Sequence, residues 1–130
     1  MKGVYGAVFS PKESGIGYYC RVPDLPGCIT TGRDEAECLD LIQDAANLWL
    51  CDLEKEKRPI PSPTPLADIP HEQGDICTLI AVDTDRYRRE NDSRAVRKNV
   101  SLPAWMVYQA DQRGINCSQV LQDALRQVLA

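Results

Sequence analysis

Hydrophobic and polar positions alternate, run together or recur at helical spacing in a definite order along the chain. Residues 3–10 read as a strand, with Tyr5, Ala7 and Phe9 on one face and Val4 and Val8 on the other. Apolar residues on both faces predict a strand covered on both sides. A turn at residues 11–15 and a second apolar run at 16–22 predict an antiparallel hairpin. Two prolines then bracket a dipeptide in Pro23-Asp24-Leu25-Pro26-Gly27-Cys28. Proline withholds a backbone donor, so regular pairing must pause, and Gly27 is free to take a positive φ into a third strand near 28–32.

A helix is expected over residues 34–56, with Asp34 as N-cap and Glu37 completing a box-like pattern. Its apolar stripe reads Cys38, Leu41, Ile42, Ala45, Trp49 and Leu53, with Asp40 and Asp44 on the exposed side. Five prolines between 57 and 70 predict an extended crossing. Residues 75–82 are apolar and β-branched, a fourth strand. Residues 1–82 therefore form a β-β-β-α-β unit: a small sheet with one long helix on a face. Residues 83–94 are polar and fit a linker or a short helix; we adopt the linker.

A second module is expected over residues 95–130. Arg97-Lys98-Asn99-Val100-Ser101-Leu102-Pro103 is a short alternating run. Val100 and Leu102 point one way, and Arg97, Asn99 and Ser101 the other. A helix over 103–113 follows, with Met106, Val107 and Ala110 on its inner side and Gly114 as its stop. Asn116 caps a second helix over 117–129, whose stripe is Val120, Leu121, Ala124, Leu125, Val128 and Leu129. Thirty-six residues with one strand are too few to be stable alone. Two chains that pair their strands antiparallel would solve this and make a ribbon of major-groove width. Arginine and asparagine are the side chains that bond base edges, so Arg97, Asn99 and Ser101 are the candidate base readers. Lys98 and the start of the second helix, at Asn116, Cys117 and Ser118, are the candidate phosphate contacts.

Charge sharpens the division. The net charge of −4 conceals 7 Lys/Arg against 13 Asp/Glu in residues 1–82, and 8 against 6 in residues 83–130. Arg86, Arg88, Arg89, Arg94, Arg97 and Lys98 crowd into 13 positions. An acidic front and a basic neck point to two partners, although a solvated linker would carry the same charges. The six cysteines, Cys20, Cys28, Cys38, Cys51, Cys77 and Cys117, form no CxxC pair and read as small hydrophobes. The single histidine, His71, has no metal-ligand spacing around it, and no metal or cofactor is expected. No apolar run approaches the roughly 20 residues that span a bilayer, and residues 1–7 lack a signal-peptide core, so a cytoplasmic protein without membrane contact is the expectation. Catalysis is not expected. Two-metal cleavage needs converging carboxylates, but the first strand has none, and Glu37, Asp40 and Asp44 read as a solvated helix face. Asp24 is expected to cap backbone donors within its own turn.

Arg97-Lys98-Asn99-Val100-Ser101-Leu102-Pro103, Gly114-Ile115-Asn116-Cys117-Ser118 and Val120-Leu121-Gln122-Asp123-Ala124-Leu125 resemble the ribbon-helix-helix family. Trp105 with Val107 departs from that pattern, where charged outer positions are more usual. Pro23-Asp24-Leu25-Pro26-Gly27-Cys28, Leu48-Trp49-Leu50 and Pro59-Ile60-Pro61-Ser62-Pro63 resemble the HicB antitoxins. The resemblance implies an α+β chain: a reduced ribonuclease-H-like sheet with one long helix at 1–82, a linker at 83–94 and a ribbon-helix-helix domain at 95–130. It implies a partner, a HicA-like toxin that cuts RNA, which the antitoxin neutralises while repressing its own operon through operator DNA. It implies a homodimer through residues 95–130, with a tetramer also open, and leaves the toxin-contacting residues unknown. The competing reading is a ligand-sensing ribbon-helix-helix regulator without a toxin partner.

Overall fold

A computed structural model of the chain describes residues 1–130, which divide into two compact units, Met1–Ser93 and Arg94–Ala130. In the first unit, β1 (Lys2–Pro11), β2 (Tyr18–Arg21), β3 (Ile29–Gly32) and β4 (Ile76–Asp83) form one antiparallel sheet in the order β3-β2-β1-β4. The helix α1 (Glu35–Lys55) packs on one face, and α2 (Thr84–Glu90) follows β4. The fold is mixed α+β.

β1 lies between β2 and β4, and it alone among the strands has buried side chains on both faces. Tyr5, Ala7 and Phe9 join the core beneath α1. Val8 is buried on the opposite face, where the chain passes as a single 3-10 turn at Leu66–Asp68. A Cβ at Gly6 would collide with the Ile69 side chain, so only glycine admits that segment so close. The cover stops short of Val4, which stays exposed.

Asp34 caps α1, accepting the Glu37 amide at 2.8 Å, while Glu37 reaches back to the Arg33 guanidinium at 2.9 Å. The buried stripe is Cys38, Ile42, Ala46, Leu50 and Leu53. This shifts the expected stripe: Leu41 lies on the exposed side, and Ala45 and Trp49 only flank the core. Steps of four and three residues keep one side of the helix against the sheet, whereas a wider apolar arc drew Leu41 in from the sequence.

Three further expectations are corrected. Residues 84–90, taken as linker, are helical. Asp83 caps α2 by accepting the Arg86 amide at 3.1 Å, and buried Thr84 bonds residue 1 through both its amide and hydroxyl. The Asp24 carboxylate does not serve its own turn. It accepts the amide and hydroxyl of Thr64 at 2.8 and 2.6 Å, and with the Tyr5 hydroxyl donating to the Pro61 carbonyl it ties the proline-rich crossing to the sheet. The turn itself closes through backbone bonds among Val22, Leu25 and Cys28, with Gly27 at φ +94° as expected. Pro103 precedes the next helix rather than opening it.

In the second unit, α3 (Ala104–Gln112) and α4 (Cys117–Leu129) are joined by a turn through Gly114 at φ +62°. Residues 95–103, expected to form a strand, have no regular secondary structure within the single chain. No residue of either helix is buried.

Candidate interaction surfaces

The second unit holds every candidate nucleic-acid residue named from the sequence. Arg97, Lys98, Asn99 and Ser101 are all exposed on the irregular stretch before α3. Alternate side chains of this stretch turn toward the two helices, as the expected alternation requires. Lys98, Val100 and Leu102 border an apolar cleft of about 460 Å³, together with Met106, Ile115 and Leu121 from the two helices. Arg97, Asn99 and Ser101 do not border it. Lys98 thus shares its side with the cleft. At the start of α4 the Asn116 side chain accepts the Gln119 amide at 3.1 Å. The amides of Cys117 and Ser118 belong to the first turn, where a helix has no carbonyl of its own to offer. Both residues also edge the cleft.

The basic neck is less available than its composition suggests. The Arg86 guanidinium lies 2.8 Å from Glu90, and Arg88 lies 3.2 Å from Glu54 of α1 and 3.3 Å from Asp85. Of these pairs, only Arg88–Glu54 ties α2 to α1, and the others lie within α2. Burial acts to raise the Glu54 carboxyl, but Thr84 and Arg88, with the residue 1 amino group 3.8 Å away, outweigh it and hold the carboxyl below its usual value. One Glu54 oxygen is buried without a hydrogen-bond partner. Sequence periodicity gave no sign of this pair, because its members lie 34 positions apart on different elements.

The remaining chemistry is quiet. Cys20, Cys28 and Cys38 are buried, Cys51 and Cys77 are half-buried, and Cys117 is exposed. Burial pushes the Cys28 thiol up to about 11, and burial with the neighbouring Cys38 thiol pushes Cys20 up to about 12, so both stay protonated at neutral pH. The Glu37 carboxylate is engaged by Arg33, and Asp40 and Asp44 lie exposed along α1. The His71 ring sits 3.0 Å from the Ile69 carbonyl in the loop before β4. No helix is long and apolar enough to cross a membrane.

Comparison with known proteins gives this arrangement a family. Residues 5–124 match the family described as HicB_like antitoxin of bacterial toxin-antitoxin system. A chain of a toxin–antitoxin complex from Streptococcus pneumoniae superposes with a TM-score of 0.61 at 19% identity, covering 98% of this chain and 99% of that one. The HicB antitoxin of Burkholderia pseudomallei gives 0.55 at 20% identity, covering 98% and 99%. A chain of a complex of the HicA3 toxin with the HicB3 antitoxin gives 0.51 at 24% identity, covering 62% of this chain and 99% of that one. At such identities the structures speak for the fold alone, while the family match spans nearly the whole chain. The chain belongs to the HicB-like antitoxins of bacterial toxin–antitoxin systems.

Proposed function

We propose that the chain neutralises a HicA-like RNA-cutting toxin through residues 1–93, a reduced ribonuclease-H-like unit, and represses its own operon through residues 94–130, one half of a ribbon-helix-helix dimer. The observation that carries the DNA-binding half is the open apolar cleft of the second unit. A unit with no buried residue in either helix cannot offset its conformational entropy alone. A second copy that fills the cleft supplies the missing core and pairs the two stretches before α3 antiparallel. The alternation then sets Val100 and Leu102 inward and Arg97, Asn99 and Ser101 on the outer ribbon surface, sized for a major groove. The α4 N-terminus, at Asn116, Cys117 and Ser118, would offer backbone donors to phosphate, and Lys98 at the ribbon's side would add charge. The toxin half is supported by the family match and by the complexes in which chains of this fold occur.

The test uses the full chain and DNA from upstream of its own coding sequence. Leu121→Asp should turn the native dimer into a monomer and abolish retardation of that DNA. Arg97→Ala should leave the dimer intact and cost about 1–3 kcal/mol in affinity for the same DNA. A wild-type chain that is monomeric at micromolar concentration, or a dimer indifferent to Arg97, would overturn the DNA-binding half.

A further inference from the structure

The face of α1 that points away from the core differs from an ordinary solvated helix face. Stepping by three and four residues along it come Glu37, Leu41, Asp44, Leu48 and Asp52. Leu41 is 40% exposed and Leu48 49% exposed, while Cys38, Ile42, Ala46 and Leu50 beneath them are fully buried. Two leucines seven positions apart make one apolar line, and the carboxylates lie between and beside them. α2 covers a neighbouring side of the helix, where the Cys51 thiol lies 3.8 Å from the Thr84 carbonyl, and it leaves the leucine line open. The helix carries six acidic residues and a single basic one, Lys55.

We infer that this outward face of α1 is the docking surface for a basic protein partner, with Leu41 and Leu48 as apolar anchors and Asp40, Asp44 and Asp52 as the rim that attracts it. The inference rests on the antitoxin reading, and the partner is the toxin. Charge decides between this face and another apolar patch of the first unit. Tyr19 and Ile29 are also exposed, on the far face of the sheet. That patch is flanked by cations: the Lys12 ammonium stands 5.4 Å over the Tyr19 ring, and Arg21 lines the same hollow. Arg21 lies 3.9 Å from Asp75, so that patch offers a basic protein no net attraction, whereas α1 does. The division of labour on α1 is the usual one at interfaces. Desolvated apolar anchors set the dissociation rate, and rim charges set the association rate and its salt dependence.

The experiment measures binding of the full chain to a purified HicA-like toxin from its own operon, at low and high salt. Leu41→Ala with Leu48→Ala should weaken binding by about tenfold or more without lowering the melting temperature, since neither side chain is in the core. Asp44→Lys with Asp52→Lys should slow association and flatten its salt dependence. Tyr19→Ala with Ile29→Ala should bind within about twofold of the wild type, as expected away from the anchors. If the α1 variants bind like the wild type and the Tyr19 and Ile29 variant does not, the surface is misplaced and the antitoxin reading stands. If the unmodified chain fails to bind that protein at all, the antitoxin reading falls and the surface falls with it.

Discussion

Lys57 and Gly114 occupy equivalent places after α1 and α3. In each case the next residue's amide bonds back to the fifth carbonyl before it, Arg58 to Leu53 and Ile115 to Ala110, both at 2.9 Å. This closure needs a left-handed residue, and Gly114 supplies it without strain at φ +62°. Lys57 adopts φ +55° with a Cβ in the way. Lys57→Gly should therefore stabilise the first unit by about 0.5–1 kcal/mol, the Cβ penalty less the extra entropy of glycine, and raise its urea midpoint. Glu54 makes a second prediction at this scale. Its carboxyl titrates below its unfolded value, so its contribution is present above the ordinary carboxylate range and is lost as pH falls through the lowered folded value. Glu54→Gln should be less stable than the wild type at pH 7, and the two unfolding curves should converge on acidification. Curves that stay parallel down to pH 3 would show that the Arg88 pair does not set this part of the stability.

At the scale of elements, α1 and the edge of β4 are built together. α1 presents buried residues to the sheet at 38, 42, 46, 50 and 53. From the adjoining side of the helix, the Gln43 and Asn47 side-chain oxygens accept the Ala81 and Asp83 amides at 3.3 and 2.9 Å. β4 is an edge strand with an uncharged run from Ile76 to Val82, and these two side chains occupy amides that would otherwise template another strand. The stripe gives a direct test. Leu50→Ala should cost about 2–5 kcal/mol, as for a fully buried leucine. Leu41→Ala should stay within about 0.5 kcal/mol, as for a surface position, when both are compared by urea unfolding. Equal costs would mean that the periodic stripe drawn from sequence, with Leu41 in it, was the right one.

For the whole molecule, the two units have different sources of stability. Met1–Ser93 has its own core, from Tyr5 on β1 to Leu53 on α1 and Val82 on β4. Arg94–Ala130 has an open cleft instead. Removal of residues 94–130 should leave the first unit folded, with a melting temperature independent of protein concentration. In the intact chain a second transition should appear whose midpoint rises with concentration, as mass action requires for a unit that folds on dimerisation. Calorimetry over a hundredfold concentration range separates the two, and a single concentration-independent transition would contradict the division.

The sequence by itself determined the order of the four strands, α1, α3 and α4, because each rests on local chemistry: alternation for β1 and β4, a capping aspartate for α1, glycine at 27 and 114, and the capping Asn116 of α4. It also marked Arg97, Asn99 and Ser101 as one side of an alternating stretch. Only the tertiary structure decided what touches across the chain. It moved the α1 stripe from Leu41 to Ala46 and Leu50, because a helix buries the arc its sheet offers and not every apolar residue it has. It made residues 84–90 a helix, because their support is Glu54 and residue 1, far away in sequence. It gave Asp24 to Thr64, forty positions distant. Short-range pattern fixes backbone conformation, but burial and pairing depend on surfaces that exist only once distant segments have met.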